Sequence, residues 1–278
     1  MSLAPPRALA AQSAADDDAA QSAADDDAAQ SAADDDAAQS AVDDDAATAA
    51  ADDRVDAGLP AGVVVVDGPE GFEAIRRPDC AAVLWPRRAP EGVSAWIEAL
   101  PPRRLPSGRV HVPADRAGQA AAALADAAGM PDGPGRDWLV ADVQRLASAF
   151  AAAMGAGRLR LRFDAVSGDA CRKFHVDSLT ARLICTYRGS GTQFGTSPNL
   201  ATRAEPPVVF AAPLAAPLLL RGTRWPETPA SGLLHRSPPI EGTGETRLLL
   251  VLDPAPADET AAVPADEIVS VPADEIAQ

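Results

Sequence analysis

Lysine is almost missing from this chain of 278 residues: Lys173 stands alone among 24 basic residues, and the others are arginine. With so much alanine and proline, that bias points to a GC-rich coding sequence. It argues against a thermophile's composition, which is rich in glutamate and lysine. Tyrosine is represented by Tyr187 only, and histidine by His111, His175 and His235. The three cysteines, Cys80, Cys171 and Cys185, are too few and too odd in number for a disulfide framework, so reduced, partly buried thiols are expected. No apolar run approaches the roughly 18 residues that a membrane-spanning helix needs. The N-terminus has no hydrophobic signal core, since Arg7 is followed by alanine and aspartate repeats. A cytoplasmic protein without a membrane partner is the expectation. Aromatic residues make up 4% of the chain. They form no aromatic-rich basic patch, which argues against a nucleic-acid partner.

Neutrality is the second thing lacking, but only at the ends. The formal net charge is -16, with 12 aspartates in residues 1–50 and 7 acidic residues in 253–278. Between them, residues 51–252 hold 21 acidic against 23 basic side chains. The acidity belongs to the tails and says little about what the folded part binds. The first tail repeats AAQSAADDD at 10–18, 19–27 and 28–36, with a fourth copy at 37–45 carrying Val42. A period of nine fits no helical repeat, and nothing in it can bury enough area to offset chain entropy. Residues 1–55 are therefore expected to be a disordered acidic tail. VPADEI at 263–268 and 271–276 marks 254–278 as a second flexible acidic tail.

Two regions lie between. Residues 56–157 mix short strands with helices: GVVVVD at 62–67 reads as a strand, Glu91 to Leu100 and Gly118 to Ala128 as helices. The clearest helix has Asp137 as its expected N-cap and runs to about Met154, with Leu139, Val143, Leu146 and Phe150 at three- and four-residue steps. From residue 158 the period changes to two. RLRLRFD at 158–164 alternates, and SLTARLICTYR at 178–188, VVFAA at 208–212, LLLR at 218–221, GLLH at 232–235 and TRLLLVLD at 246–253 follow between Gly and Pro clusters. The fold class expected is mainly β with packed helices. A double-stranded β-helix, a jelly-roll or cupin-like barrel over 158–253, would be preceded by the helical or mixed region 56–157 packing on it.

Chemistry concentrates in three residues. His175 and Asp177 form an HxD, and His235 follows 60 residues later. On a strand, residues i and i+2 share a face about 7 Å apart. An imidazole and a carboxylate then converge, and a later strand supplies a second imidazole. Two histidines and one carboxylate on one face of an octahedron leave three positions open, the facial triad of non-haem iron(II) oxygenases. Arg247 comes 12 residues after His235, flanked by Leu248 to Leu252. A charge in so apolar a strand needs a partner. That partner is either a ligand carboxylate gripped by the guanidinium fork, or Glu245 or Asp253 in an ion pair.

His175-Val-Asp177, Tyr187, GTQF at 191–194, HRSP at 235–238 and Arg247 together resemble the catalytic core of the prolyl-4-hydroxylase-like branch of the 2-oxoglutarate/iron(II) dioxygenases. More narrowly, CRKFHVDSLTARLICTYRGSGTQF and HRSPP with TRLLLVLD are similar to a bacterial domain-of-unknown-function family, number 1826. The resemblance implies His175, Asp177 and His235 as Fe(II) ligands and 2-oxoglutarate as cosubstrate, with its far carboxylate held by Arg247 and hydrogen-bonded by Tyr187. It also implies hydroxylation of a small molecule or a protein side chain. For Tyr187 the residue pattern itself favours a core-capping role. The competing class of function is a cupin-like zinc or iron protein of metal homeostasis without turnover. His111 is expected as a surface or satisfied strand residue, and Cys171, four before His175, is not expected to ligate.

Overall fold

Arg158–Val166 (β4) buries alternate apolar residues, while Ala181–Arg188 (β5), Leu218–Arg221 (β8) and Arg247–Pro254 (β10) are buried almost throughout, and these strands build the centre of a large sheet. The computed structural model describes residues 58–199, 201–226 and 232–255. The expected tails at 1–55 and 254–278 lie outside the described residues, apart from Pro254 and Ala255. The sheet has seven strands, in the order β1-β2-β8-β5-β10-β4-β3. Val63–Val65 (β1), Ala82–Leu84 (β2) and Gly108–Pro113 (β3) are its additions at the two edges. All neighbours are antiparallel except β1 and β2. A smaller sheet runs β7-β6-β9, formed by Phe210–Ala211 (β7), Gln193–Thr196 (β6) and Leu233–Arg236 (β9). His175 adds to its β9 edge through an antiparallel bridge to His235.

From β4 onward the chain crosses from one sheet to the other: β4 large, the His175 segment small, β5 large, β6 and β7 small, β8 large, β9 small, β10 large. This winding is the double-stranded β-helix. The region before it does more than pack on the barrel, since it lends three strands to the barrel's own large sheet. The strand expected at 208–212 shortens to two residues because Val208 and Val209 are exposed and bury too little to extend it.

Three helices cover the outer face of the large sheet: Val93–Ala99 (α1), Ala117–Ala127 (α2) and Pro134–Met154 (α3). Leu139, Val143, Leu146 and Phe150 of α3 pack in one cluster with Leu159, Leu161, Leu183, Cys185, Leu248 and Leu250. The helix starts three residues earlier than Asp137. Pro134 occupies its first turn, where no amide donor is needed, and Asp137 follows in that turn near the positive end of the dipole. Gly155, with φ of 63°, ends it and returns its amide to Ala151 and Ala152 carbonyls. The opposite face of the sheet meets the small sheet through Ile184, Leu218, Leu220, Leu249, Phe194 and Leu233. Odd-numbered residues of β10 therefore face the barrel interior and even-numbered ones face the helices. Among the described residues no helix is long and apolar enough to cross a membrane.

Candidate metal centre

Backbone pairing brings the two imidazoles together before any side chain acts. His175 and His235 exchange both amide-to-carbonyl hydrogen bonds at 3.0 Å, and their ring centroids lie 4.5 Å apart. Arg236 stacks over Phe174 at 4.3 Å and donates to Gln193, pinning the segment to the β9 edge. Asp177 lies just past the bridge, in irregular backbone rather than on a strand. It is fixed instead by the loop after β8: Thr223 donates to its carbonyl at 2.8 Å, and Arg224 to that of Leu179. Gly222 permits this approach, since a β-carbon there would stand 1.9 Å from the Leu179 oxygen.

Three ligand atoms, one each from His175, Asp177 and His235, lie within 4.8 Å of one another. His235 Nε2 is 3.1 Å from Asp177 Oδ2, and His175 Nε2 is 3.7 Å from Oδ1. His175 Nδ1 stands 2.8 Å from the Lys173 carbonyl oxygen, which can only accept. The proton therefore sits on Nδ1, and Nε2 keeps its lone pair toward the carboxylate. That backbone clamp is what metal-ligating histidines usually have. Burial holds His235 below the usual imidazole pKa, hence neutral and ready to ligate, while the Asp177 carboxylate beside His175 raises that ring's pKa. Burial pushes the Asp177 carboxyl up. The two imidazoles and Arg182 outweigh it and hold it well below the ordinary range.

The donor set fits a divalent metal on a specific ground: Asp177 Oδ2 is buried with His235 Nε2 at 3.1 Å but in no aligned hydrogen bond. An unsatisfied buried carboxylate oxygen beside two imidazole nitrogens is expensive unless a cation shares the space. Oδ1, by contrast, accepts from Arg182 at 2.7 Å. Arg182 in turn forks onto Asp253 at 2.7 and 2.9 Å. Arg182 thus leaves one oxygen of Asp177 free and fixes its direction. The sequence reading missed Arg182 and gave Asp253 no part in the centre. The available signal was an arginine at an inward position of the apolar β5, five residues after Asp177. Arg182→Gln is expected to weaken cobalt(II) binding by about 10–100-fold, the usual effect of losing an outer partner, with the fold retained by circular dichroism.

Arg247 is wholly buried at the start of β10, on the interior face shared with Leu249. Its Nε donates to the Ser190 carbonyl at 2.7 Å, and its Nη2 is buried without a partner. Gly189, with φ of 74°, turns the chain tightly over it. Burial brings the guanidinium down to about 10. The ion-pair alternatives fall away: Glu245 is held by Ser190 at 2.6 and 2.9 Å, and Asp253 by Arg182.

Tyr187 does not join the site, which corrects its assignment as a cosubstrate ligand. Its ring lies among the helix-side core residues, on the same side of the strand as Leu183 and Cys185 and edge-on to Trp138. Its hydroxyl donates to Asp142 Oδ2 at 2.7 Å, and Asp142 is forked by Arg87. This is a buried structural triad that ties α3 to the sheet. Tyr187→Phe is expected to destabilise the fold by about 1–2 kcal/mol in urea titration and to leave metal affinity unchanged. His111 lies on β3, paired across to Arg160. Cys171 is exposed, outside the three-residue cluster.

Residues 66–253 match the family described as Protein of unknown function (DUF1826). The chain belongs to this family. All three candidate ligands, Arg182, Arg247 and Asp253 lie inside the DUF1826 segment. No curated protein matches the chain. Among solved structures it is similar to a rice dioxygenase for auxin oxidation, at 17% identity over 76% of this chain and 88% of that one, with a TM-score of 0.42. It is also similar to the auxin-oxidising dioxygenase 1 of Arabidopsis thaliana in its complex with 2-oxoglutarate, at 11% identity over 72% and 94%, TM-score 0.41. A Pseudomonas putida prolyl-4-hydroxylase aligns at 10% identity over 68% and 98%, TM-score 0.37.

Proposed function

We propose that this DUF1826 protein is an iron(II)- and 2-oxoglutarate-dependent oxygenase, a hydroxylase. The observation that carries the reading is the convergence of two imidazole nitrogens on the buried Asp177 carboxylate, whose Oδ2 makes no aligned hydrogen bond. His175, Asp177 and His235 would hold the metal on one face, which leaves coordination positions for a cosubstrate and dioxygen. When bound, iron and 2-oxoglutarate supply the oxidising power, with succinate and carbon dioxide as coproducts.

The chain's own residues do the rest. Lys173 O fixes the His175 tautomer, and Arg182 restricts Asp177 to one free oxygen. Phe194, fully buried and paired across from His235, keeps the interior beside the centre dry. Arg247 offers an unpaired Nη2 inside the barrel to the far carboxylate of the cosubstrate. This last feature favours an oxygenase over a metal-storage barrel, which has no use for a buried guanidinium whose Nη2 is left unpaired. The substrate is a small molecule or a protein side chain.

The test is anaerobic addition of 2-oxoglutarate to the iron(II)-loaded protein. A weak visible charge-transfer band that requires both components, with succinate released on admitting oxygen, is expected. Tight zinc binding with neither band nor succinate would instead support the metal-homeostasis reading.

A further inference from the structure

The barrel's interior face changes character at β4. Ile184, Leu218, Leu220 and Leu249 make it apolar over the centre, and the apolar cluster ends at Val166. Beyond it the same face of β4 and β3 carries Arg158, Arg160, Arg162, Arg109 and His111. Their alternation partners Leu159, Leu161 and Val110 face the helices. With Arg182 on β5 and Arg247 on β10, six guanidinium groups share this face with two carboxylates, Asp164 and Asp253, apart from the ligand Asp177.

The arrangement is electrostatically uncomfortable on its own. Arg109 stands directly across from Arg162 in the β3–β4 register. Like charges in that position repel and weaken the pairing. Arg160 adds a third charge two residues from Arg162, about 7 Å along the strand. Burial and the charges of Arg162 and Arg160 hold Arg109 below its usual pKa. Arg162 has Asp164 at 3.0 Å, and Arg160 has Asp253 only at 3.9 Å, while Asp253 is already forked by Arg182. The buried Nε of Arg158 has no hydrogen-bond partner, and those of Arg160 and Arg162 face only Asp253 and Asp164 in ion pairs without hydrogen-bond alignment. Yet the strip is open to solvent: Arg109 is exposed, and the Arg160 side chain is 38% exposed.

The strip is also continuous with the metal centre. His111, Arg160 and Asp253 are successive partners across three strands, and Asp253 leads through Arg182 to Asp177. From this geometry we propose that the strip is the substrate's anchoring subsite: the molecule oxidised at the centre carries an oxyanion, a phosphate or a carboxylate, held by Arg109, Arg160 and Arg162. The inference rests on the oxygenase reading, whose substrate it narrows to an anionic class. Guanidinium forks suit such groups. An oxyanion seated between Arg109 and Arg162 relieves their repulsion. Anchored there, it directs the remainder of the substrate along the row toward the ligands.

Inorganic phosphate is the probe, followed by phosphorus NMR at low ionic strength on the full chain loaded with zinc(II) or cobalt(II). Saturable phosphate binding to the zinc form is expected. It should weaken at least tenfold in R109Q/R162Q, a variant whose cobalt affinity stays at the wild-type value. In the cobalt form the bound phosphate signal should broaden in the wild-type protein. Competition with citrate identifies the oxyanion: displacement at lower concentration than phosphate assigns a carboxylate, its failure a phosphate. Phosphate binding that ignores R109Q/R162Q overturns the proposal. Arginine-dependent binding without broadening, in a protein that binds cobalt, overturns it too, because the strip would then serve another purpose. A wild-type protein that binds no cobalt defeats the oxygenase reading itself, and a phosphate titration of the metal-free protein tells that case apart.

Discussion

His235→Ala is expected to weaken cobalt(II) or iron(II) binding by more than about 100-fold, beyond the ~10–100-fold range for outer partners. The reason is positional. His235 is 5% exposed, and burial keeps its ring neutral. It is the one ligand reached from the far end of the chain, through β9. His175 and Asp177 alone leave a bidentate site with a carboxylate oxygen still unsatisfied. The fold should survive, because the bridge that joins the two segments is made of backbone atoms, the paired His175 and His235 amides and carbonyls. Calorimetric titration with cobalt(II), alongside far-ultraviolet circular dichroism, checks both halves of the expectation. Wild-type affinity in His235→Ala would show that the three side chains do not hold a metal.

The strands around the centre were legible because β4 alternates strictly and β5 and β10 are apolar runs of strand length, the mark of strands buried on both faces. His235 and Arg247 were legible as polar groups beside apolar runs, and His175 and Asp177 by their HxD spacing and the motif it resembles. What failed was any inference that needed local backbone detail. Asp177 was placed on a strand, yet its position depends on Gly222 and Thr223 from a loop 45 residues on. Tyr187 was given to the cosubstrate by the resemblance, whereas alternation with Leu183 and Cys185 puts its ring on the helix side of the sheet. The three added strands of the large sheet were only partly visible, because β1 and β2 are three residues long and leave almost no period to read.

Arg247→Met separates the cosubstrate reading from a structural one, because the two predict opposite signs. If the guanidinium is kept for a ligand, its removal from the metal-free protein should be neutral or stabilising. A well-packed apolar side chain in place of a buried charge often adds about 1–4 kcal/mol. The wild-type charge is already penalised: burial lowers its pKa to about 10, and Nη2 has no partner. Methionine follows the same path through the interior without a charge to desolvate, and only the bond from Nε to Ser190 O is lost. The affinity for 2-oxoglutarate should fall by about 30-fold or more, the loss of roughly 2 kcal/mol or more expected when one partner of a buried charge pair is removed. Metal affinity measured without cosubstrate should hold, since Arg247 touches none of His175, Asp177 and His235. A structural Arg247 would behave in reverse. The variant would melt several degrees lower and its cosubstrate affinity would be unchanged. Differential scanning calorimetry of the metal-free protein, paired with anaerobic titration of the iron(II) form by 2-oxoglutarate, reads both quantities on one preparation. Their joint outcome shows whether the buried charge waits for a ligand or serves the fold.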